Sequence, residues 1–286
     1  MEAWPLGRHV TFRNAPLVEM MVELRWTSEG SFASASNAPG THIIITAGNP
    51  QEEFFSEFGR LIAKHGFCRE ERLVPVGVSF LPYQAVYRFK HKDDSVPVVF
   101  QIGLNMFTAN AVPPYKSWTS FSRYVSDGIA TLKLASQNKK IKVRLHTKLM
   151  RYIDIFSGDL LRSMTPDQFI RETFGFRLLI PDALQKRVPK DGVVKGQLLQ
   201  VTALLDNNVE LTITAAESAQ RGGPAALLDW IATIKANDCI DDDVDTIMHN
   251  LDRAQNVIHE MFMEIVKPIE DVLDPQMADK GGNDNE

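Results

Sequence analysis

Extended segments follow one another along this chain without a helix in each gap. That order argues against a doubly wound parallel sheet, in which each strand needs a long crossover before the next. Between Arg72 and Ala111 three such runs succeed one another: Arg72 to Phe80, Ala85 to His91, and Val96 to Ala111, the last bending at Gly103-Leu104-Asn105. The earliest run, Leu17 to Trp26, has period two. Val18, Met20, Val22, Leu24 and Trp26 take one side, with Glu19, Glu23 and Arg25 on the other, the pattern of a half-buried strand. Ile141 to Phe156 repeats it, with Ile141, Val143, Leu145 and Leu149 opposite Lys142, Arg144, His146 and Lys148.

Helical periodicity fills the remaining stretches. Asn49-Pro50 opens a helix with Phe54, Phe55, Phe58, Leu61 and Ile62 inward, ending near Gly66. Ser117 or Thr119 caps another, reaching Leu134, with Phe121, Val125, Ile129 and Leu132 inward. A short helix spans Thr165 to Thr173, a strand Phe174 to Ile180, and a polar connector Asp182 to Gly192. Val193 to Leu205 and Val209 to Ala216 form a hairpin around Asp206-Asn207-Asn208. Gly222-Gly223-Pro224 begins a helix from Ala225 to Ala236. The last helix starts at Asp241-Asp242-Asp243 and runs to about Val266. Its apolar positions Val244, Ile247, Leu251, Ala254, Ile258, Met261 and Ile265 step by three and four, a seam suited to a partner helix or sheet. The fold class that follows is α+β: largely antiparallel sheets with flanking helices, two similar-sized halves and a long C-terminal helix. The halves are residues 1–156 and 157–273, with 274–286 a disordered acidic tail.

Charge divides unevenly. From Asp238 onward there are 14 acidic and three basic residues, against 28 basic and 22 acidic before it. Such an acidic end shields a basic surface, binds a basic partner or keeps the chain soluble. The basic surface has a focus: Lys133 to Arg151 holds seven Lys/Arg and no acid. Lys139, Lys140, Lys142, Arg144, His146 and Lys148 form a candidate polyanion site, the strand residues among them projecting at ~6.6 Å intervals, near the phosphate spacing of an extended nucleic acid. The alternative is a solvated face or one covered by the acidic terminal helix, and no nucleic-acid-binding motif accompanies the charges.

Catalytic and cofactor signatures are lacking. There is no Walker loop, no GxGxxG after a strand, no HExxH and no GxSxG elbow. Asp241, Asp243 and Asp245 alternate, but Thr246 and Asp252 stand where a calcium loop needs glycine and glutamate, so the acids read as helix capping. Asp245, His249 and Asp252 read as a polar stripe. No metal, no cofactor and no catalytic residue is assigned. Cys68 and Cys239 read as two reduced thiols, which with the absence of a signal peptide or a ~20-residue apolar span leads us to expect a cytoplasmic protein away from the membrane. Arg151 falls on an otherwise apolar strand face, where burial requires a partner; Glu19 and Glu23 are the candidates for a buried pair, and a ligand-binding arginine is the alternative. Tyr152, Asp154, Tyr115 and Trp118 complete a candidate pocket around it.

Four segments carry a resemblance. Asn14-Ala-Pro-Leu-Val-Glu-Met-Met-Val-Glu-Leu-Arg-Trp26 is the first; Phe100-Gln-Ile-Gly-Leu-Asn-Met-Phe-Thr-Ala-Asn110 with Pro114-Tyr115 and Trp118 is the second. Arg151-Tyr-Ile-Asp154 and the pair Leu251-Asp-Arg-Ala, Ile258-His-Glu-Met-Phe262 follow. Together they resemble a sporadically distributed bacterial protein family of unassigned function, over nearly the whole chain. That resemblance implies no active site; its patchy distribution suits anti-phage defence or toxin–antitoxin modules. The resulting expectation is a non-enzymatic interaction or regulatory subunit of a bacterial operon. It would bind a protein partner, or another copy of itself, through Ile247, Leu251, Ile258, Met261 and Ile265 of the terminal helix or through the basic sheet. A nucleic-acid-binding protein using residues 139–151 and an enzyme of unrecognised type are the alternatives.

Overall fold

Apolar side chains at every second position need one covered face. In the computed structural model of the protein that face belongs to one nine-stranded sheet, antiparallel throughout. The structure describes residues 10–29, 50–114, 117–177, 181–189, 198–205, 208–220, 222–235 and 243–277. The elements are β1 (Val10–Phe12), β2 (Leu17–Glu29), α1 (Pro50–Ile62), β3 (Arg69–Arg72), β4 (Ala85–Lys90), β5 (Val98–Gly103) and β6 (Met106–Ala111). Then come α2 (Trp118–Lys139), β7 (Lys142–Ser157), α3 (Pro166–Glu172), α4 (Asp182–Gln185), β8 (Leu198–Leu205), β9 (Val209–Gln220) and β10 (Gly223–Lys235). The chain closes with α5 (Val244–Val266), α6 (Glu270–Leu273) and β11 (Pro275–Met277). The sheet order is β3-β4-β5-β6-β2-β7-β10-β9-β8, and β1 pairs β11 separately. The architecture is α+β, with a long helix near the C-terminus.

The inward sets read from the helices are buried: Phe54, Phe55, Phe58, Leu61 and Ile62 of α1, and Phe121, Val125, Ile129 and Leu132 of α2. Phe58 meets Phe89 of β4 and Phe107 of β6 at centroid separations of 5.4 and 5.7 Å. Helix α2 lies close enough to the sheet that a Cβ on Gly128 would stand 2.7 Å from Phe107 and 2.8 Å from Phe100; the missing side chain sets the layer spacing. Capping also follows the sequence. Ser117 caps α2, Thr165 caps α3, and Asp243 Oδ1 accepts from the Thr246 backbone N–H at 2.7 Å at the start of α5.

Four expectations are corrected. Residues 225–235 are strand, not helix. Local Ala and Leu favour a helix, but Ala226, Leu228, Trp230, Ala232 and Ile234 alternate and are all buried, and β10 bonds on both sides to β7 and β9; tertiary pairing overrides propensity. Arg72 to Phe80 is strand only at its first residue, β3 ending at Arg72. Phe174 to Arg177 is not strand; Phe174 packs against Phe156 and Phe169 at 5.0 Å each. Pro275–Met277 is not disordered but pairs with Val10–Phe12, and 278–286 lie outside the described residues. The two halves share one sheet: β7 of the first bonds along β10 of the second from Thr147 to Ser157. Among the described residues no helix is long and apolar enough to cross a membrane.

Candidate functional site

Strand β7 carries most of the residues singled out by the sequence, and an irregularity in it decides where they point. Along β2, Arg25 pairs with Thr147 but Trp26 pairs with Leu145, so His146 is left over as a bulge. A bulge inserts one residue and exchanges the faces of everything beyond it. Before it, Leu145 is the buried position; after it, Lys148, Met150, Asp154 and Phe156 are. The single basic face expected for Lys142, Arg144, His146 and Lys148 is therefore broken. Lys148 is only 3% exposed, opposite buried Leu24. Lys139 and Lys140 are not on the strand at all. Lys139 ends α2 and pairs with Glu53 at 3.3 Å, and Lys140 is the helix C-cap in the left-handed region at φ 53°.

That turn builds a cleft. The Ile141 N–H donates to Ser136 O at 2.9 Å and the Lys140 N–H to Gln137 O at 3.1 Å, reversing the chain so that the start of β7 runs back beside the end of α2. A cleft of about 610 Å³ opens between them. Ile129, Leu132, Lys133, Ser136 and Gln137 form one helical wall, a single face by their i, i+3, i+4, i+7, i+8 spacing. Lys142 to Leu145 form the other wall, with Leu24 and Ile247 of α5 beneath. Lys133, Lys140, Lys142 and Arg144 line it, and among its described lining residues there is no carboxylate, histidine, cysteine or aromatic ring. The arrangement attracts an anion and offers it aliphatic surface.

The arginine pocket separates onto the two faces of the sheet. Arg151 is half-buried on the sheet face away from Asp154, and its hydrogen-bonded partner is Asp229 of β10; Glu19 and Glu23 act on it only as nearby charges. Both Nε and Nη2 donate to the Asp229 carboxylate at 2.8 Å, a bidentate pair that holds the guanidinium charged and its pKa above the usual value. Glu19 instead accepts from Asn110 Nδ2 at 2.8 Å, and Glu23 pairs with Arg25. Sequence reasoning missed Asp229 because it sits in the segment expected to be helical. On the core face Asp154 is buried and accepts from Trp230 Nε1 at 3.0 Å. Burial pushes its carboxyl up to about 7, against the lowering effect of the indole bond and with a further push from Asp229. Tyr152 lies beside Met20 and Trp230 in the register. Trp118 donates to Asp252 of α5 at 2.6 Å, tying two helices. Tyr115 lies outside the described residues.

A cluster without any sequence signal surrounds the bulge. Arg25 stacks over the Tyr83 ring at 5.0 Å, and Tyr83 meets His146 edge-on at 6.3 Å. The His146 pKa is lowered by desolvation and, less, by Arg25. The terminal-helix seam is spent within the chain. Ile247, Leu251, Ala254 and Ile258 are buried against β7, β10 and α2, Ile265 is half-buried, and Met261 is 37% exposed. Among the described residues no three His, Cys, Asp or Glu converge as metal ligands.

No family model matches the sequence, and no curated protein is similar to it. The crystal structure of the di-domain ARO/CYC StfQ from the steffimycin biosynthetic pathway aligns over 81% of this chain and 98% of its own, at 10% identity and a TM-score of 0.21. That likeness is too low to carry an argument.

Proposed function

We propose that the protein is a non-enzymatic interaction subunit of a bacterial operon, of the defence or toxin–antitoxin kind, and that it holds an acidic segment of a partner protein in the cleft between α2 and β7. The observation that carries this reading is the lining itself: Lys133, Lys140, Lys142 and Arg144 around Ile129, Leu132, Leu145 and Ile247. A groove with an aliphatic floor and a cationic rim suits a peptide whose apolar side chains anchor while its carboxylates meet the rim. The operon setting is supported by the four-segment resemblance alone.

Nucleic acid is the second reading, favoured by the same four cations. Against it, single-stranded binders stack bases on aromatic side chains, and the described lining has none. The test is titration of the full chain with a fluorescein-labelled peptide of alternating Glu and Leu, beside a labelled oligothymidylate, at two salt concentrations. The peptide is expected to bind more tightly, to weaken with salt, and to be lost in Lys140→Glu/Lys142→Glu. Tighter, steeply salt-dependent oligothymidylate binding transfers the site to nucleic acid. Binding of either probe that survives the charge reversal removes the cleft from the function.

A further inference from the structure

The two outer strands of the sheet differ in chemistry. At one end β3 is four residues long and every one is charged: Arg69, Glu70, Glu71, Arg72. Three of these are engaged in ion pairs, with Asp94, Arg88 and Glu52. Short, charged edges are how sheets avoid adding a further strand. At the other end β8 is eight residues long, Leu-Leu-Gln-Val-Thr-Ala-Leu-Leu, without a charge. It pairs only with β9 among the described residues, and among them the backbone groups along its outer side form an open ladder.

Six of the eight side chains of β8 are exposed; Leu199 and Leu205 are half-buried against the core. Leu199, Val201, Ala203 and Leu205 continue the row of Ala215, Ile213, Leu211 and Val209 on β9, all four of which are buried. Yet Val201 at the end of that core row is 52% exposed, and on the opposite face Leu198 and Leu204 are 61% and 74% exposed. The core layer thus runs out to the sheet edge, covered in part at Leu199 and Leu205 and exposed at Val201 and Ala203.

We infer that β8 is a homodimer interface, pairing antiparallel with β8 of a second copy about a two-fold axis at Val201. A second copy fits for two reasons. An uncharged strand meets itself without repulsion, and an isologous contact closes after two chains. The alternative within one species, β8 on β3, sets four charges against an apolar strand and propagates as a filament. Centring on Val201 places Leu198 opposite Leu204 of the second copy, Leu199 opposite Ala203 and Gln200 opposite Thr202. Each pair shares a face, so the core row of one chain continues into the other.

Light scattering of the intact chain across roughly a hundredfold range of concentration tests this. A monomer–dimer equilibrium is expected, abolished by Val201→Lys, which sets two like charges opposite each other on the axis; circular dichroism reports whether that variant folds. Val201→Cys in a Cys68→Ser/Cys239→Ser background is expected to cross-link as a dimer on mild oxidation, since directly opposed strand residues stand ~4.5–5.5 Å apart at Cβ. If Val201→Lys does not fold, the cross-link alone decides. A wild-type chain that stays monomeric throughout, a dimer that survives Val201→Lys, or a dimer whose Val201→Cys form does not cross-link overturns the proposal.

Discussion

Asp154 shows how one side chain can be legible in type and illegible in role. A carboxylate in the Arg151-Tyr-Ile-Asp154 segment invites a site, but its place on the covered face follows from the bulge at His146, which no periodicity in the sequence announces. Inside the core its carboxyl titrates near 7, against an unfolded value near 3.8. Between those values the folded chain retains a proton that the unfolded chain has lost, so stability falls as pH rises from about 4 to about 7 and is level above. Asp154→Asn keeps the acceptor for Trp230 and removes the ionisation. Urea unfolding at pH 5 and pH 8 is expected to show the variant ahead by a few kcal/mol at the higher pH, with most of the gap gone at the lower. A wild-type chain as stable at pH 8 as at pH 5, with the variant tracking it, would show that Asp154 is solvated. Arg151 teaches the companion lesson. The sequence put it on an apolar face, but the bulge at His146 turns it to the opposite one, and the choice of Asp229 over Glu19 and Glu23 required knowing that β10 lies beside β7.

At the scale of elements, long periodic segments were legible and short or mixed ones were not. Helices α1, α2, α3 and α5 and strands β2, β4, β7 and β9 lie where periodicity puts them, because each has one apolar face and a cap or turn at its ends. Strand β10 was misread because Ala225-Ala226-Leu227-Leu228 is a short continuous apolar run of good helix formers, which periodicity alone does not tell from a buried helix segment. The cleft was half legible: its cations stand out in the sequence, but the helix end at Lys139 and the turn at Lys140 that make a cavity of them do not. The terminal seam illustrates drift. A strict three–four repeat turns about 20° per heptad relative to a straight helix, so the buried line that holds at Ile247, Leu251 and Ile258 has moved off Met261 toward Phe262 and Val266. Ile258→Asp is accordingly expected to cost at least ~3 kcal/mol and Met261→Asp about 0.5 kcal/mol or less, read from denaturant midpoints. Equal costs at the two positions would mean that the phase of α5 is wrong.

The whole molecule is where sequence reading reached least far, because halves recognised by similar element order say nothing about which strands pair between them. The division near residue 156 falls at the end of β7, whose long side is bonded to β10, and α5 from the second half covers β7 and fills the core beside Leu24 and Ile129. Residues 1–156 alone would leave one side of β7 unpaired over the ten register positions from Thr147 to Phe156, expose Met150 and Phe156 of its core face and leave Asp154 without its indole partner. For the same reason removing everything from Asp238 onward does more than delete negative charge: it strips α5 from β7, β10 and α2 and bares the core residues that α5 covers. One shared sheet and one shared core predict one cooperative unit. Calorimetry of the full chain, run where any dimer is dissociated, is expected to give a single transition whose calorimetric and van't Hoff enthalpies agree, and the 1–156 fragment is expected to lack a cooperative melt. Two separable transitions, or a fragment that melts sharply by itself, would mean that the β7–β10 seam joins two domains that fold independently.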